Sequence, residues 1–294
     1  MSLSLKMDKL TDLTGKIVLV TGGGTGVGLM IAKGLASNGA KVYITGRRLN
    51  VLQQAAEEKF EGAGHLVPLQ MDVTVKENIL SVVGHVKKSD GKLDILVNNA
   101  ATDGPKIRSS YTDTPSSDQS LGAYARHLFD IQSFEDWGSL AQTNVASYFF
   151  VTMAFVDLLV ESTQGKEGAT ASVINITSGA GQIRLSFGYF AYASLKAGTS
   201  HLTRLLATDF ALKRAPIRVN AIAPGTFPSQ LSAPKEQLDE YCKTNMGCLE
   251  PIPARRPGRE HEMAALAVYL ASPASGYTHG QEIFIDGGLL SVNP

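Results

Sequence analysis

The chain has 294 residues, of which 44% are hydrophobic and 18% charged, and its 27 Lys and Arg residues balance 27 Asp and Glu residues. This apolar content is enough for one large core and excludes wholesale disorder. A net charge of zero argues against a nucleic-acid partner, which needs a basic face to neutralise phosphates. It argues equally against a polybasic membrane-surface protein.

Neither a membrane span nor a metal site is predicted. No apolar run reaches the roughly 18 residues of a transmembrane helix, and the longest candidate, Val145–Val160, is broken by three polar residues. The first ten residues lack the apolar run of a signal peptide. Cys242 and Cys248 do not form a disulfide framework, and the six histidines show no metal-ligand spacing. We therefore expect a soluble, cytoplasmic protein without a metal.

Short apolar runs alternate with helix-like segments along the chain. The predicted strands are Lys16–Val20, Lys41–Thr45, His65–Leu69, Leu93–Val97, Ala171–Ile176, Ile217–Ile222 and Glu282–Ile285. The predicted helices are Val27–Ser37, Asn50–Glu58, Val75–Lys88, Phe134–Val160, Ala191–Lys213 and Glu260–Leu270. Strands that are apolar on both faces and alternate with helices predict an α/β fold, a doubly wound parallel sheet flanked by helices. We expect one Rossmann-type domain over residues 14–294, with seven parallel strands, after a tail at 1–13.

Two stretches interrupt the alternation. Residues 102–133 are long and polar, and residues 226–258 are rich in proline with no clear strand. Each stretch follows a predicted strand, and ligands of open α/β sheets bind beyond the carboxyl ends of the strands. We expect the first to be a polar loop extension and the second to be a substrate lid, with plain surface excursions as the alternative for both.

The first strand leads into a glycine-rich loop, Thr21-Gly22-Gly23-Gly24-Thr25-Gly26-Val27-Gly28, which is followed by a helix. Glycines let a backbone turn sharply and approach a pyrophosphate, and a helix N-terminus adds free N–H groups. The spacing is TGxxxGxG, because the sixth position of a GxGxxG pattern holds Ile31. The predicted cofactor contacts of this loop are Gly22, Thr25, Gly26, Val27 and Gly28.

The residues after the second strand indicate which dinucleotide binds. An acidic residue there would accept hydrogen bonds from the 2′-hydroxyl of NAD. The chain has Gly46-Arg47-Arg48 instead, and an arginine forms bidentate pairs with a 2′-phosphate. We therefore expect NADP(H), held by Arg47 and then Arg48, although a solvated charge pair beside the helix is the alternative.

Among nine tyrosines, only Tyr192 has a lysine, Lys196, four residues later. An i,i+4 pair lies on one face of a helix. Upstream, Ser178 ends a predicted strand, and Asn144 lies within a predicted helix. A free tyrosine has a pKa near 10, and the Lys196 cation together with an oxidised nicotinamide should favour the phenolate. A fall of about 3 units in this pKa corresponds to roughly 4 kcal/mol. That shift suits Tyr192 to general acid–base work.

The chain resembles the short-chain dehydrogenase/reductase family over about residues 14–290. The matching motifs are the glycine loop, Asp72-Val73, Asn98-Asn99-Ala100, Asn144, Ser178, Tyr192, Lys196, Pro224-Gly225 and Asp286-Gly287-Gly288. They look most like fungal and bacterial reductases of the 3-oxoacyl-carrier type and relatives in secondary metabolism. Two departures are Ala101, where the family has the glycine of NNAG, and a segment before Asn144 that is longer by roughly 20 residues.

The resemblance implies a role for each catalytic candidate. Tyr192 exchanges a proton with the substrate oxygen, and Ser178 donates a hydrogen bond to that oxygen. Lys196 also holds the nicotinamide ribose, and Asn144 holds a water that relays protons to Lys196.

The resemblance also implies further contacts by position. Adenine contacts are expected from Asp72 and Val73, ribose contacts from Asn98 and Ala100, and carboxamide contacts from Pro224, Gly225 and Thr226. Gln182, Leu185, Tyr189 and Phe227 are candidates for the substrate wall, with a plain core role as the alternative.

Three functions fit these residues. An NADP(H)-dependent carbonyl reductase and an alcohol dehydrogenase use the same groups in opposite directions on a small organic substrate. A dinucleotide-binding scaffold or non-redox catalyst on the same fold is the third. The resemblance also implies a homodimer or homotetramer, in which Phe134–Val160 and Ala191–Lys213 pair with a second copy.

Overall fold

A computed structural model describes residues 5–104, 120–186, 188–232, 235–244 and 250–293. Seven parallel strands form one sheet in the order β3-β2-β1-β4-β5-β6-β7. The strands are β1 Ile17–Thr21, β2 Lys41–Gly46, β3 His65–Gln70, β4 Ile95–Asn98, β5 Ala171–Ile176, β6 Ile217–Pro224 and β7 Glu282–Ile285. The predicted doubly wound, seven-stranded sheet is confirmed.

Helices cover both faces of this sheet. The larger ones are α2 Gly26–Ser37, α3 Leu49–Glu57, α4 Lys76–Asp90, α5 Leu121–Ile131, α6 Phe134–Ala141, α7 Ser147–Glu161, α8 Phe190–Leu212, α9 Lys235–Tyr241 and α10 Glu260–Ala271. Two single turns, α1 Met7–Leu10 and α11 Leu289–Val292, lie near the termini. Short 3₁₀ turns at Gly179–Gly181 and Pro273–Ser275 complete the set.

The core has two layers because successive strand side chains point to opposite faces. Val18 and Val20 of β1 pack in one layer with α2 and α10. Leu19, between them, packs in the other layer with Phe155 of α7 and Phe210 of α8. All of these side chains are buried, so the sheet is covered on both faces, as its near-continuous apolar strands predict.

The predicted helix Phe134–Val160 is interrupted. A π-helical turn, Gln142–Ala146, separates α6 from α7, and single π turns are frequent at functional sites. Phe134–Glu161 is, within the described part of the chain, the one helical stretch long and apolar enough to cross a membrane. It serves as a core helix here, because Phe155 and Leu159 are fully buried against the sheet.

Both long excursions contain a helix that the sequence interpretation missed. The expected polar loop at 102–133 includes α5, whose N-terminus is capped by the Ser120 hydroxyl accepting a hydrogen bond from the Ala123 N–H. Residues 105–119 lie outside the described residues. The stretch at 226–258 includes α9 and the buried Cys242, whereas Cys248 is not among the described residues. Leu13, the last residue of the expected tail at 1–13, lies fully buried in the core.

Candidate active site

A cleft of about 660 Å³ opens at the carboxyl ends of the central strands. It brings together sixteen of the residues predicted from the sequence. These are Gly22, Thr25, Gly26, Val27, Gly28, Arg47, Arg48, Asp72, Val73, Ala100, Ser178, Tyr192, Lys196, Pro224, Gly225 and Thr226. Parallel strands end at the same edge of a sheet, which is why segments from β1 to β6 converge here. Among the predicted catalytic and cofactor-binding residues, Asn98 and Asn144 do not line the cleft.

The glycine loop is packed too tightly for side chains. Gly22 has φ of +64° and Gly26 of +54°, conformations that side chains rarely adopt. A Cβ on Gly28 would lie 2.3 Å from the Gly22 carbonyl oxygen and 2.4 Å from Nδ2 of Asn99. The loop therefore forms a cradle of bare backbone at the start of α2. Thr25, the N-cap of α2, makes no side-chain capping bond, so the first N–H groups of that helix are available to an anion.

Asn99 holds this cradle in place. Its Nδ2 donates hydrogen bonds to the carbonyl oxygens of Thr21, at 2.8 Å, and Gly22, at 3.1 Å. The Thr21 hydroxyl accepts from the N–H groups of Asn99 and Ala100 at 2.9 and 3.0 Å. The chain after β4 is thus tied to the glycine loop by four hydrogen bonds.

The ribose contact predicted for Asn98 is not supported by its position. Asn98 is buried in the core, where its Nδ2 donates to Thr152 Oγ1 and Asn175 Oδ1, each at 2.9 Å. Successive residues of a strand point to opposite faces, so Asn99 lines the cleft instead. The doubled asparagine in the sequence gave no signal for choosing between the two.

Arg47 and Arg48 line the cleft beyond the end of β2. The Gln70 side chain donates to the Arg47 carbonyl oxygen at 2.8 Å, which fixes the backbone there. Arg48 Nη2 donates to Gln230 Oε1 at 2.8 Å, bridging to the segment after β6. Partial burial opposes ionisation of Asp72, but hydrogen bonds from Thr74 and the charge of Arg47 hold the pKa of its carboxyl below the ordinary value. The positive guanidinium of Arg47, on a backbone held in place by Gln70, suits a ribose that carries a phosphate.

Ser178 and Tyr192 meet at the middle of the cleft. The Ser178 hydroxyl accepts from the Ala180 N–H at 3.1 Å, which orients it at the end of β5. Burial raises the pKa of Tyr192 to about 12; a hydrogen bond with the Ser178 side chain opposes this, and the charge of Asp103 adds to it. The expected fall in the pKa of Tyr192 is therefore not found in the structure without a dinucleotide.

Lys196 explains this difference. The lysine is almost fully buried, and desolvation lowers the pKa of its ammonium to about 7. Its Nζ donates to the Ile176 carbonyl oxygen at 2.8 Å and lies 5.8 Å from the centroid of the Tyr192 ring. Burial thus weakens the positive charge that was expected to acidify the phenol. The Tyr148 hydroxyl donates to the same Ile176 oxygen at 3.0 Å.

Asn144 lies in the π-helical turn, where it is fully buried and does not line the cleft. Its Oδ1 accepts from the Thr102 N–H at 2.9 Å, and its Nδ2 donates to the Thr102 carbonyl oxygen at 2.8 Å. Its own carbonyl oxygen accepts from the Thr199 hydroxyl at 2.8 Å. Asn144 thereby anchors the chain that follows β4 to helix α8.

Aromatic and aliphatic side chains line the end of the cleft beyond Tyr192. This substrate end comprises Asp103, Tyr189, Phe227, Leu238 and Tyr241. Tyr189 and Phe227 were predicted here, whereas Gln182 and Leu185 do not line the cleft. Tyr241, Leu238 and Asp103 were missed, because their sequence segments carry no periodic pattern.

A nicotinamide dinucleotide fits the residues present. The bare glycine cradle and the uncapped N-terminus of α2 suit a pyrophosphate, since any Cβ at Gly28 would fill the space. Tyr192, Lys196 and Ser178 lie where the reactive ring would end, and no group of metal-ligating side chains occurs among the residues described.

Comparison with known proteins agrees with this site. The profile of the family described as short chain dehydrogenase matches residues 16–239. The chain is 36% identical to the short-chain dehydrogenase/reductase VdtF of Byssochlamys spectabilis, over 99% of this chain and 98% of VdtF. The chain therefore belongs to the short-chain dehydrogenase/reductase family.

Solved structures agree as well. Pseudomonas aeruginosa RhlG in complex with NADP is 31% identical, covering 95% of this chain and 98% of that one, with a TM-score of 0.74. A 7α-hydroxysteroid dehydrogenase in complex with NADH and 7-oxo glycochenodeoxycholic acid is 26% identical, covering 97% and 98%, with a TM-score of 0.76. The fold thus holds either dinucleotide, and the chain is an oxidoreductase of this family that acts on a small molecule.

Proposed function

We propose that this chain is an NADP(H)-dependent carbonyl reductase of a small organic ketone, of a 3-oxoacyl, polyketide-like or other secondary-metabolite kind. The observation that carries the proposal is Tyr192 beside Ser178 in the cleft that the glycine cradle opens onto. The dinucleotide, when bound, supplies the hydride that adds to the carbonyl carbon. Side chains of the protein supply the hydrogen bonds and the proton.

The chain's own residues handle the oxygen. Ser178 donates a hydrogen bond to the substrate oxygen, which stabilises negative charge as it develops. Tyr192 donates the phenolic proton from its Oη to that oxygen. Because burial raises the pKa of Tyr192 to about 12, the phenol keeps its proton at neutral pH and can donate it to a carbonyl oxygen. Lys196, with a pKa near 7, can return a proton toward the phenol from the buried side.

The proposed preference for NADP(H) rests on Arg47, which follows the end of β2. Asp72 is the nearby carboxylate, but it lies after β3, where it is ionised and accepts hydrogen bonds from Thr74. A guanidinium attracts a 2′-phosphate and a carboxylate at that position would repel it. The presence of NADP in the RhlG complex supports the same preference.

The decisive experiment replaces one hydroxyl. We expect Tyr192→Phe to lower kcat by roughly 10²–10⁴-fold, the usual contribution of a general acid, with NADPH affinity nearly unchanged. Consumption of NADPH over a panel of ketones measures the first quantity and NADPH fluorescence the second. Tyr277→Phe, at a fully exposed tyrosine, is the matched control and keeps full activity. Full turnover by Tyr192→Phe would instead favour the scaffold or non-redox alternative.

We also propose that the enzyme is a homodimer or homotetramer. α7 and α8 leave apolar side chains at the surface of the single chain, among them Phe149, Phe150 and Leu205. Such faces are normally covered in an assembly. Light scattering at micromolar concentration tests this, and a monomeric mass would contradict it.

A further inference from the structure

The carbonyl oxygen of Ile176, at the end of β5, accepts hydrogen bonds from two side chains. Lys196 Nζ donates to it at 2.8 Å and the Tyr148 hydroxyl at 3.0 Å. Lys196 comes from α8 and Tyr148 from the first turn of α7, so two helices meet at one backbone oxygen. Lys196 is 2% exposed and Tyr148 1% exposed. The two groups therefore share one acceptor in a place that is shielded from bulk solvent.

The course of the neighbouring strand explains why this oxygen is open to side chains. The pairing of β4 with β5 ends at Asn98. The N–H groups of the next two residues, Asn99 and Ala100, donate to the Thr21 hydroxyl instead. The two strands thus separate just before Ile176, and a buried carbonyl group there needs donors from outside the ladder.

Lys196 Nζ lies between two phenol rings. It is 5.7 Å from the centroid of the Tyr148 ring and 5.8 Å from that of the Tyr192 ring. Tyr192 lines the cleft, as does Asp103 after β4, whereas Tyr148 lies on the core side of the lysine. Burial raises the pKa of Tyr148, so its hydroxyl stays a neutral donor. The lysine is thus enclosed by a catalytic phenol on one side and a structural phenol on the other.

We propose that Tyr148 is a positioning residue for Lys196, because it prevents the Ile176 oxygen from binding the lysine alone. This inference rests on the proposed function of the same site. An oxygen that already accepts one hydrogen bond attracts a second donor less strongly, so its hold on the ammonium form is weakened. The Tyr148 ring also closes the core side of Nζ through a cation–π contact. Lys196 is thereby held where it can exchange a proton on the side of Tyr192.

Tyr148→Phe removes the hydroxyl and keeps the ring. The Ile176 oxygen then binds Lys196 alone, which favours the ammonium form and raises the pKa of the lysine. The free energy of unfolding reports this shift without any need for activity. It rises with pH above the pKa of the folded lysine, about 7, because the unfolded lysine keeps its proton up to 10.5. In urea unfolding between about pH 6 and 9, we expect the onset of this rise to move up by about 0.5–1 pH unit.

Two controls isolate this effect. Tyr43→Phe removes another buried tyrosine hydroxyl, which donates to Asp90 Oδ2 at 2.5 Å, and we expect a loss of stability with an unchanged onset. In a Lys196→Met background, Tyr148→Phe is expected to leave the pH dependence of unfolding unchanged. In the active enzyme, the basic limb of the kcat profile for ketone reduction with NADPH should move up together with the onset in Tyr148→Phe.

Several outcomes would overturn the proposal. These are an unchanged onset in Tyr148→Phe, an equal shift in Tyr43→Phe, a shift that persists in the Lys196→Met background, and failure of Tyr148→Phe to fold. A shifted onset with an unchanged kcat profile in an active enzyme would overturn it as well. A shifted onset in a protein that reduces no ketone supports the contact of Tyr148 with Lys196 and contradicts the proposed redox function. The two proposals therefore fail separately.

Discussion

The two ends of the cleft are built from different materials. Around the glycine loop the wall of the nucleotide end is backbone, because Gly22, Gly26 and Gly28 leave no room for side chains and Asn99 is hydrogen-bonded to the loop. At the substrate end the wall consists of side chains from separate segments, including Asp103 and Tyr241. A backbone wall tolerates almost no substitution, whereas a wall of side chains can change with the substrate. The nucleotide end of the cleft is thus more constrained than the substrate end.

The largest effect is expected where the backbone wall is tightest. In Gly28→Ala, the new Cβ would meet the Gly22 carbonyl oxygen and Asn99 Nδ2, so the loop must move. We expect loss of NADPH binding and a fall of about 3 kcal/mol in the free energy of unfolding, as for overpacked cores. Fluorescence titration and urea unfolding measure the two effects.

Gly84→Ala is the matched control for that change. Gly84 lies in α4, and a Cβ there meets nothing within 4 Å. We expect it to raise the free energy of unfolding by roughly 0.5–1 kcal/mol, because alanine is the better helix former. Equal behaviour of the two variants would show that the glycine loop is not a steric cradle.

Asn144→Ala tests what holds the substrate end. The change removes both hydrogen bonds to Thr102, leaving a partly buried N–H and C=O without these partners, and we expect a loss of about 1 kcal/mol in unfolding free energy. We also expect lower kcat with NADPH affinity nearly unchanged, because the glycine cradle is tied to Asn99 instead. Ser139→Ala, at an exposed position of α6, serves as the control, and a fall in NADPH affinity would contradict the separation of the two ends.

Arg47→Leu tests the side-chain part of the nucleotide end. A hydrogen bond to a charged group contributes about 1.5–3 kcal/mol, so we expect NADPH affinity to fall by roughly 10- to 100-fold. NADH affinity is expected to change little, since that ligand lacks the 2′-phosphate. Titration of both dinucleotides checks this, and equal losses for the two would refute a role in phosphate recognition.

The last prediction concerns the pH dependence of stability and Lys196, which lies between the two ends. Its pKa is lowered to about 7 in the folded chain, against 10.5 unfolded. Between these values the unfolded chain binds the extra proton, so stability rises as pH increases from about 7 to 10.5, by up to about 1.4 kcal/mol per pH unit. Below pH 7 both states are protonated and this contribution is constant. Urea unfolding at several pH values should show the slope in the wild type and a flatter one in Lys196→Met, and identical slopes would count against a desolvated lysine.

The sheet and its glycine loop could be predicted from sequence because their signals are local. Apolar runs such as Ala171–Ile176 are buried on both faces. The glycines of the loop are required because a Cβ at these positions would collide with neighbouring atoms. The helices α5 and α9 were missed, since their short, mixed segments lie among prolines and serines. The sequence interpretation selected Asn98 rather than Asn99 for the ribose contact. The face of the sheet that each side chain takes depends on the register of β4, which the sequence does not give.

The order of the residues along the chain determined the class of fold, the glycine cradle and the Tyr192–Lys196 pair, because each depends on contacts within a few residues or on a strict repeat. Tertiary structure decided the rest. It fixed the burial that sets the pKa values of Tyr192 and Lys196, and the anchoring of Thr102 by Asn144 at the edge of the cleft. Desolvation and charge proximity depend on distances between residues that are remote in sequence, and no local pattern encodes those distances.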